Sequence, residues 1–368
     1  MRCPFFFLVI LLLSACSADK TANARLPFAT TEITSFNQPW AMSFLPDGRL
    51  LVTEKEGHLY IVTQDGTKSK PLRGVPDVVY GGQGGLGDVV PHPDFASNRF
   101  VYTSFVEAGT GGVRGAVVAR AKLQLNHDGG RLEDLEIIWR AVPKVSGGYH
   151  FGHRIAFSPD GFLFISSGER NKFNPSQNMK QNLGKIVRLH DDGSVPADNP
   201  FANYGGVAAQ IWSLGHRNPL GLAFDEKSRL WNVEMGPQGG DELNLVIRGA
   251  NYGYPIVSNG DHYGGREIPD HETRPEFEPP KVWWTPVISP ADLMFYSGAL
   301  FPEWKGNAFI AGLSAAALIR VKIEGDTAAE AERFKMNARI RAARQGPGDA
   351  IWVLEDGRGG RLLKLTPD

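Results

Sequence analysis

Side chains of several chemical kinds crowd the stretch from Ile211 to Tyr254. It begins with the cluster His216-Arg217-Asn218, and the acidic pair Asp241-Glu242 follows a turn at Gly236-Pro237. An imidazole can transfer protons, a guanidinium can bind a carboxylate through two hydrogen bonds, and carboxylates can bind hard cations. Polar groups of this variety at strand ends and turns are typical of a functional site.

His150 is the candidate for proton transfer. A neutral imidazole can accept a proton from a hydroxyl, a step that alcohol oxidation or ester attack requires. A lone histidine can equally be a satisfied structural residue, but Gly147 and Gly148 leave room for a ligand beside this one. For His153 and His216 the sequence favours structural roles.

Three arginines form a second candidate group. Arg217, Arg339 and Arg341 would suit a ligand with several carboxylates if the fold brought them together. They could otherwise be surface arginines on loops. Gln83 lies in the glycine-rich run Gly81 to Gly85 and is either a turn residue or a polar contact at a place where something approaches the backbone closely.

The loop from Gly236 to Glu242 is the candidate metal site. Carboxylates next to exposed backbone carbonyls suit a cation with oxygen ligands, which favours calcium. The sequence matches no EF-hand, and no His or Cys spacing suggests zinc or iron.

Six repeats must position these residues. Each joins two apolar strands by a Pro-Asp-Gly or similar turn, at a spacing of roughly 45 to 70 residues. The repeats begin near Ala41, Gly87, Ile155, Leu220, Leu293 and Ile340. This pattern predicts an all-β fold, a six-bladed β-propeller over residues 27–368 with a central funnel that carries the active site. Polar residues just before the first strand of each repeat should converge on that funnel.

The two ends of the propeller should share a blade. Phe28 to Phe36 precedes the first repeat and Arg361 to Leu365 ends the last, so we expect these strands to pair and close the ring. The best helical candidate, Thr327 to Phe334, is short and is predicted to be a surface turn.

The N-terminal sequence predicts that the protein is exported from the cytoplasm. Arg2 precedes the apolar run Phe5 to Leu13, which is too short to span a bilayer and is typical of a secretory signal. Leu13 to Cys16 is similar to the lipobox of bacterial lipoproteins, which implies a signal peptide over residues 1–15, lipidation of Cys16 and a tether over residues 16–26. A plain secretory signal is the alternative. We therefore expect a periplasmic protein that contacts a membrane only through Cys16, and Ser17 favours the outer membrane.

The charge composition of the chain bears on its binding partners. The chain has 39 basic and 40 acidic side chains, and no basic stripe with interleaved aromatics is present, so a nucleic acid is not an expected partner.

Several long motifs resemble one enzyme family. They are Gly184 to Leu189, Gly215 to Pro219, Gly236 to Asn244 and Asn251 to Pro255. With these motifs the chain resembles the soluble, pyrroloquinoline quinone (PQQ)-dependent glucose dehydrogenases and, more closely, the aldose sugar dehydrogenases of that family. The resemblance implies a six-bladed propeller with PQQ and Ca²⁺ in the funnel, an aldose substrate oxidised at C1 to a lactone, and a quinone, dye or cytochrome that accepts the electrons.

The resemblance also implies roles for individual residues. His150 matches the general base, and Arg217 and Asn218 match the pair beside the quinone, where Arg217 stabilises negative charge. The other implied cofactor contacts are Gln83, Tyr263, Arg339 and Arg341. The implied metal ligands are Gly236, Pro237 and Tyr252, through their carbonyls, and Glu242.

Three departures from the glucose enzymes stand out, and one further residue matches them. Tyr149 replaces the Asp before the catalytic His, and Ser314 replaces a cofactor-binding lysine, so its loop would contact the cofactor through backbone groups. Trp284 matches the tryptophan that lines the substrate cleft. The chain lacks a long cysteine-containing insertion, which predicts a more open cleft and broader sugar specificity.

Two other functions stay open. A calcium-dependent lactonase is compatible with a six-bladed propeller, but such enzymes surround the ion with acidic and Asn side chains, whereas arginines favour an anionic cofactor. A sugar-binding or protein-binding propeller without catalysis is the second, and the missing lysine at Ser314 supports it.

Overall fold

The computed structural model describes residues 26–127 and 129–368. The predicted signal peptide, the lipidated Cys16 and all but the last residue of the tether lie outside the described residues. Within them, no helix has the length and apolar character that crossing a membrane requires.

Six antiparallel sheets form the blades of a propeller. Strand β1 spans Ala29–Asn37. The first three blades are β2 (Pro39–Phe44), β3 (Leu50–Glu54) and β4 (His58–Val62); β5 (Leu86–Pro91), β6 (Phe100–Ala108), β7 (Arg114–Asn126) and β8 (Gly129–Arg140); and β9 (Gly152–Phe157), β10 (Leu163–Ser167), β11 (Lys185–Leu189) and β12 (Ile211–Leu214). The first blade has three strands and the others have four.

The chain continues through three more blades. The fourth contains β13 (Pro219–Phe224), β14 (Leu230–Glu234), β16 (Asp241–Leu245) and β18 (Val282–Trp284), while β15 (Gln238–Gly239) and β17 (Gly260–Asp261) pair as a separate ribbon. The fifth contains β19 (Pro290–Phe295), β20 (Ala308–Gly312), β21 (Ala317–Glu324) and β22 (Thr327–Lys335). The sixth contains β23 (Ile340–Gln345), β24 (Ile351–Glu355) and β25 (Arg358–Thr366).

Short helices lie in the connections. One α-helix, α1, spans Phe95–Asn98 between β5 and β6. The single-turn 3₁₀ helices are Thr110–Gly112, Asn174–Gln177, Ala202–Tyr204, Ala208–Gln210, His271–Thr273, Pro302–Trp304 and Pro347–Asp349.

The ring closes as the sequence predicts. Strand β1 supplies the fourth strand of the last blade, where Thr30 pairs with Leu365 and Phe36 pairs with Gly360 of β25. Strand β1 runs directly into β2 of the first blade. Separating the sixth blade from the first would therefore break the ladder between β1 and β25.

Apolar side chains pack between neighbouring blades around the ring. Leu51 of the first blade packs with Val101 of the second, and Trp352 of the sixth packs back against Val52 of the first. The central strands β3, β10, β14, β20 and β24 are buried along their whole length. Each blade therefore depends on both neighbours for its core, as expected of one continuous domain.

The prediction of a surface turn at Thr327 to Phe334 is wrong. The segment Thr327–Lys335 forms the outer strand β22. It pairs with β21 along its length, from Ala317↔Lys335 to Glu324↔Thr327. The alanines and glutamates of this segment carry little strand signal, and the ladder to β21 outweighs local preference.

Arg154 occupies the centre of the ring below the funnel and is 1% exposed. It comes from the third blade and contacts four others. Its partners are the Asp88 carboxylate (3.3 Å), the Leu220 carbonyl (2.6 Å), the Ala291 carbonyl (2.5 Å) and the Trp40 ring (4.0 Å from the guanidinium carbon). These contacts fix the inner strands on which the funnel residues stand.

Candidate active site

Two sets of loops meet at the funnel. Because the first two strands of a blade are antiparallel, the residue before the first strand and the residue after the second lie at the same end of the blade. Together they enclose a cavity of about 330 Å³. Its polar lining includes Lys55, Gln83, His153, Ser289, Arg339, Arg341 and Asp356.

His150 is held from both sides. Its Nδ1 lies 2.5 Å from the Glu169 carboxylate, and its backbone N–H donates to the Gln83 side-chain oxygen at 2.8 Å. Glu169 also accepts the backbone N–H groups of Lys172 and Phe173. Within the described residues, the Nε2 atom of His150 has no hydrogen-bond partner in the protein, so it is available to a ligand.

The protonation of this pair follows from its surroundings. Burial lowers the pKa of His150, and the Arg217 charge lowers it further. The hydrogen bond that His150 donates to Glu169 opposes both effects. Burial by itself would raise the pKa of Glu169, but the hydrogen bond to His150 holds it below its ordinary value. Near neutral pH the site therefore contains a neutral imidazole that donates its Nδ1 proton to a carboxylate.

Arg217 and Asn218 stand beside His150. The Asn218 side-chain oxygen accepts the Gly152 N–H at 3.2 Å, and the Arg217 carbonyl accepts the Glu169 N–H at 2.8 Å. Arg217 is buried and donates through Nη1 to the Met235 carbonyl at 2.9 Å. Its Nε–H is buried without a partner among the described residues, which leaves a donor for an anionic ligand.

The loop Gly81 to Gly85 owes its glycines to close approach of other backbone. A Cβ at Gly82, where φ is +61°, would lie 2.4 Å from the Gly148 carbonyl oxygen. A Cβ at Gly85, where φ is +131°, would lie 2.1 Å from the Lys55 carbonyl oxygen. Only glycine fits these positions, and the loop carries Gln83 into contact with His150.

The three arginines of the predicted cofactor site line two different spaces. Arg339 and Arg341 line the cavity, and both donate to Asp356, at 2.9 Å and 2.7 Å. Burial acts to raise the pKa of Asp356, but the two arginines hold it below its ordinary value. Arg217 lines a smaller adjoining void, and Met235 borders both spaces.

The predicted metal ligands surround this smaller void, which has a volume of about 10 Å³, close to that of a single bound water. It is lined by Gly236, Pro237, Glu242 and Tyr252, together with Glu234. Burial and the nearby Glu234 carboxylate raise the pKa of Glu242 well above its ordinary value. A cation between the two carboxylates would remove that repulsion, so the donor set fits a hard metal ion.

Other contacts define the edges of the metal site. The Tyr252 carbonyl already accepts a hydrogen bond from His271 Nε2 at 3.1 Å. Asp241 accepts the Gly236 and Ile288 N–H groups, at 2.8 and 2.7 Å, and so supports the loop. Among the described residues, no group of three or more His, Cys, Asp or Glu side chains could hold a metal ion.

Trp284 is not in the cleft, which corrects the sequence prediction. It is 6% exposed, packs in the core between the fourth and fifth blades, and donates through Nε1 to Glu330 at 2.6 Å. Strand β18 alternates its side chains, so Trp283 faces outward (51% exposed), where it lines a separate groove with His271.

Ser314 also differs from the expectation. Its exposed side chain donates to the Val287 carbonyl at 3.2 Å, and the neighbouring Leu313, not Ser314, lines the cavity. The Ser314 hydroxyl therefore does not substitute for a cationic cofactor contact.

Two exposed tyrosines belong to the loops around the site. Tyr149 precedes His150 and is 55% exposed, and its carbonyl accepts the Arg170 Nε–H at 2.9 Å. Tyr263 is 73% exposed, and its ring centre lies 5.9 Å from the Arg217 guanidinium carbon. Both rings are free to meet a ligand at the entrance.

Four functional candidates were not recognised in the sequence. Lys55, Glu169 and Asp356 come just after the second strand of a blade, and Glu234 ends such a strand. The predicted convergence on the funnel covered only polar residues before each first strand, although the antiparallel pairing brings both positions to the funnel. Polar residues after each second strand would have been the signal.

Comparison with known proteins identifies the family of this chain. The family model described as Glucose / Sorbosone dehydrogenase matches residues 36–364. The chain is 38% identical to aldose sugar dehydrogenase YliI of Escherichia coli (strain K12), over 100% of this chain and 99% of that protein.

Two solved structures share the fold and most of the chain. The apo form of the soluble aldose sugar dehydrogenase from E. coli superposes with a TM-score of 0.87 at 38% identity, over 93% of this chain and 100% of the other. The PQQ-bound aldose sugar dehydrogenase from Streptomyces coelicolor superposes with a TM-score of 0.76 at 31% identity, over 92% and 98%. The chain therefore belongs to the glucose/sorbosone dehydrogenase family and is an oxidoreductase.

Proposed function

We propose that this protein oxidises aldose sugars at C1 to lactones, with PQQ and calcium as cofactors. The observation that carries the proposal is the pair His150–Glu169, whose Nε2 atom has no protein partner among the described residues and whose ring interacts electrostatically with the buried, partly unpaired Arg217. The similarity to a PQQ-bound relative supports the same cofactor.

His150 is the base in this proposal. Glu169 accepts the Nδ1 proton and so fixes the tautomer in which Nε2 carries the lone pair. The lowered pKa of His150 keeps the ring neutral near pH 7, ready to take the proton of the sugar C1 hydroxyl. The C1 hydrogen leaves as hydride, and the carbon that loses it becomes the lactone carbonyl.

The residues present fit both cofactors. When bound, the quinone supplies a two-electron acceptor and calcium supplies a Lewis acid. Arg339 and Arg341 would hold carboxylates of the quinone, and the unpaired Nε–H of Arg217 would hold one of its oxygens. Asn218 and Tyr263 would border it, and Gln83 would keep His150 in place.

Calcium would lie at the void beside the quinone site. The carbonyls of Gly236, Pro237 and Tyr252 and the Glu242 carboxylate would be its protein ligands, with Glu234 nearby. The support is the size of the void and the repulsion between the two carboxylates, which a divalent cation would relieve.

The remaining parts of the proposal concern the protein's surroundings. Electrons would pass to an external quinone, dye or cytochrome. The lipobox-like sequence at Cys16 supports export to the periplasm and attachment to a membrane by lipid, and Ser17 favours the outer membrane.

Reconstitution tests the proposal. Purified apoprotein should reduce an artificial dye with glucose or another aldose only after both PQQ and calcium are added. Omitting either cofactor is the control. Activity with no aldose under these conditions would contradict the proposal, and lactone hydrolysis without PQQ would favour a lactonase.

A further inference from the structure

The wall of the main cavity carries an excess of positive charge. Lys55, Arg339 and Arg341 are its cations, and Asp356 is the one carboxylate among the described lining residues. Both arginines donate to Asp356, whose pKa they hold low although burial acts to raise it, so that carboxylate is ionised. His153 also lines the cavity, but burial lowers its pKa to about 3 and the ring stays neutral.

Among the described residues, Lys55 is the cation of this wall that forms no hydrogen bond or ion pair with a carboxylate. Its ammonium donates to the Gly82 carbonyl at 3.2 Å and lies 5.7 Å from the ring centre of Tyr80. Burial lowers the pKa of Lys55 and the Arg341 charge lowers it further, while the Asp356 charge opposes both effects in part. An anion in the cavity would offset both effects.

The backbone of Lys55 is fixed where the first and second blades meet. Its N–H donates to the Gln38 carbonyl at 3.0 Å, and its carbonyl accepts the Leu86 N–H at 2.9 Å. The absence of a Cβ at Gly85 permits this approach. A lysine anchored in this way presents its ammonium with little loss of backbone freedom on binding.

We propose that Lys55 binds a carboxylate of the anionic quinone together with Arg339 and Arg341. This inference rests on the proposed function and deepens it. Lys55 then supplies, from the first blade, the cationic contact that Ser314 of the fifth blade does not provide. The cavity would hold its ligand by three cations from two blades, which suits a quinone with several carboxylates.

Equilibrium titration of apoprotein with PQQ in the presence of calcium tests this inference. Followed by quenching of tryptophan fluorescence, Lys55→Gln should bind PQQ about ten- to a hundredfold more weakly than the wild type, the loss expected for one charged hydrogen bond. Lys55→Arg should stay within a few fold of the wild type. Lys322→Gln, at an exposed lysine of β21, is the matched control and should bind normally.

The trimethyl ester of PQQ separates a charge contact from a change in shape. The ester has no carboxylates, so Lys55→Gln and the wild type should bind it equally. Circular dichroism and thermal unfolding check that the variants are folded. Equal PQQ affinity of Lys55→Gln and wild type would overturn the role of Lys55 alone, whereas a wild type that binds no PQQ would overturn the proposed function as well.

Discussion

Among individual residues, Glu169 leads to the most specific prediction, because its carboxylate sets the pKa and the orientation of His150. The hydrogen bond that Glu169 accepts from His150 raises the pKa of His150 against the effect of burial and orients the ring. Only the neutral ring can accept a proton, so activity should fall as pH drops through this pKa, which lies below its ordinary value. We expect the acid limb of kcat against pH below about 6.5.

Replacing Glu169 by Gln tests that relationship. Without the carboxylate the pKa of His150 falls further, so the acid limb should move to lower pH, while kcat drops about ten- to a hundredfold because the tautomer is no longer fixed. PQQ affinity should change little. Glu136→Gln, at an exposed glutamate of β8, is the control. An unshifted pH profile would contradict the role assigned to Glu169.

Among the elements, the neighbouring strands β14 and β16 carry the metal prediction. Glu234 on β14 pairs directly opposite Glu242 on β16, and burial together with the repulsion between the two carboxylates raises the pKa of Glu242. Calcium that binds only the folded protein should raise the melting temperature in a concentration-dependent way. Glu242→Gln should abolish most of that increase.

Differential scanning calorimetry with calcium and with a chelator checks this prediction. The control is Glu276→Gln, an exposed glutamate paired with Arg274, which should keep the full calcium response. If calcium left the melting temperature of the wild type unchanged, the metal site at this void would be wrong.

The sequence was informative about elements because each blade repeats two apolar strands around a tight turn. The positions of His150 and Gln83 relative to one another followed from that repeat, although they are far apart along the chain. The sequence was weaker where a contact depends on the partner strand, as for β22, or on which face of a strand points outward, as for Trp284. Glu169 was missed because it follows the second strand of its blade, and only the antiparallel pairing of β9 with β10 brings it to the same end as His150.

At the level of the whole molecule, the buried charges on the ring axis connect the blades. Arg154 contacts Asp88, and it lies 3.7 Å from Asp292, which also pairs with Arg344 of the sixth blade. Removing one member of a buried pair leaves an uncompensated charge. Arg154→Met should therefore lower the free energy of unfolding by about 3–5 kcal/mol.

Denaturant unfolding measures that change. Arg131→Met, which removes a half-exposed partner of Glu133, is the control and should cost about 1 kcal/mol or less. A loss of similar size in both variants would contradict the role of Arg154 as the contact that joins the blades.

The central claim is that the funnel oxidises a sugar at C1 with His150 as the base, and anaerobic single turnover tests it most directly. Protein loaded with PQQ and calcium is mixed with excess aldose, and the absorption spectrum of the bound quinone is followed. We expect one equivalent of quinone to be reduced in the wild type and in the control His190→Gln. His150→Gln should hold the same amount of PQQ but reduce it at least about a hundredfold more slowly. A quinone that stays oxidised in the wild type with every aldose, or reduction in His150→Gln as fast as in the wild type, would contradict the claim.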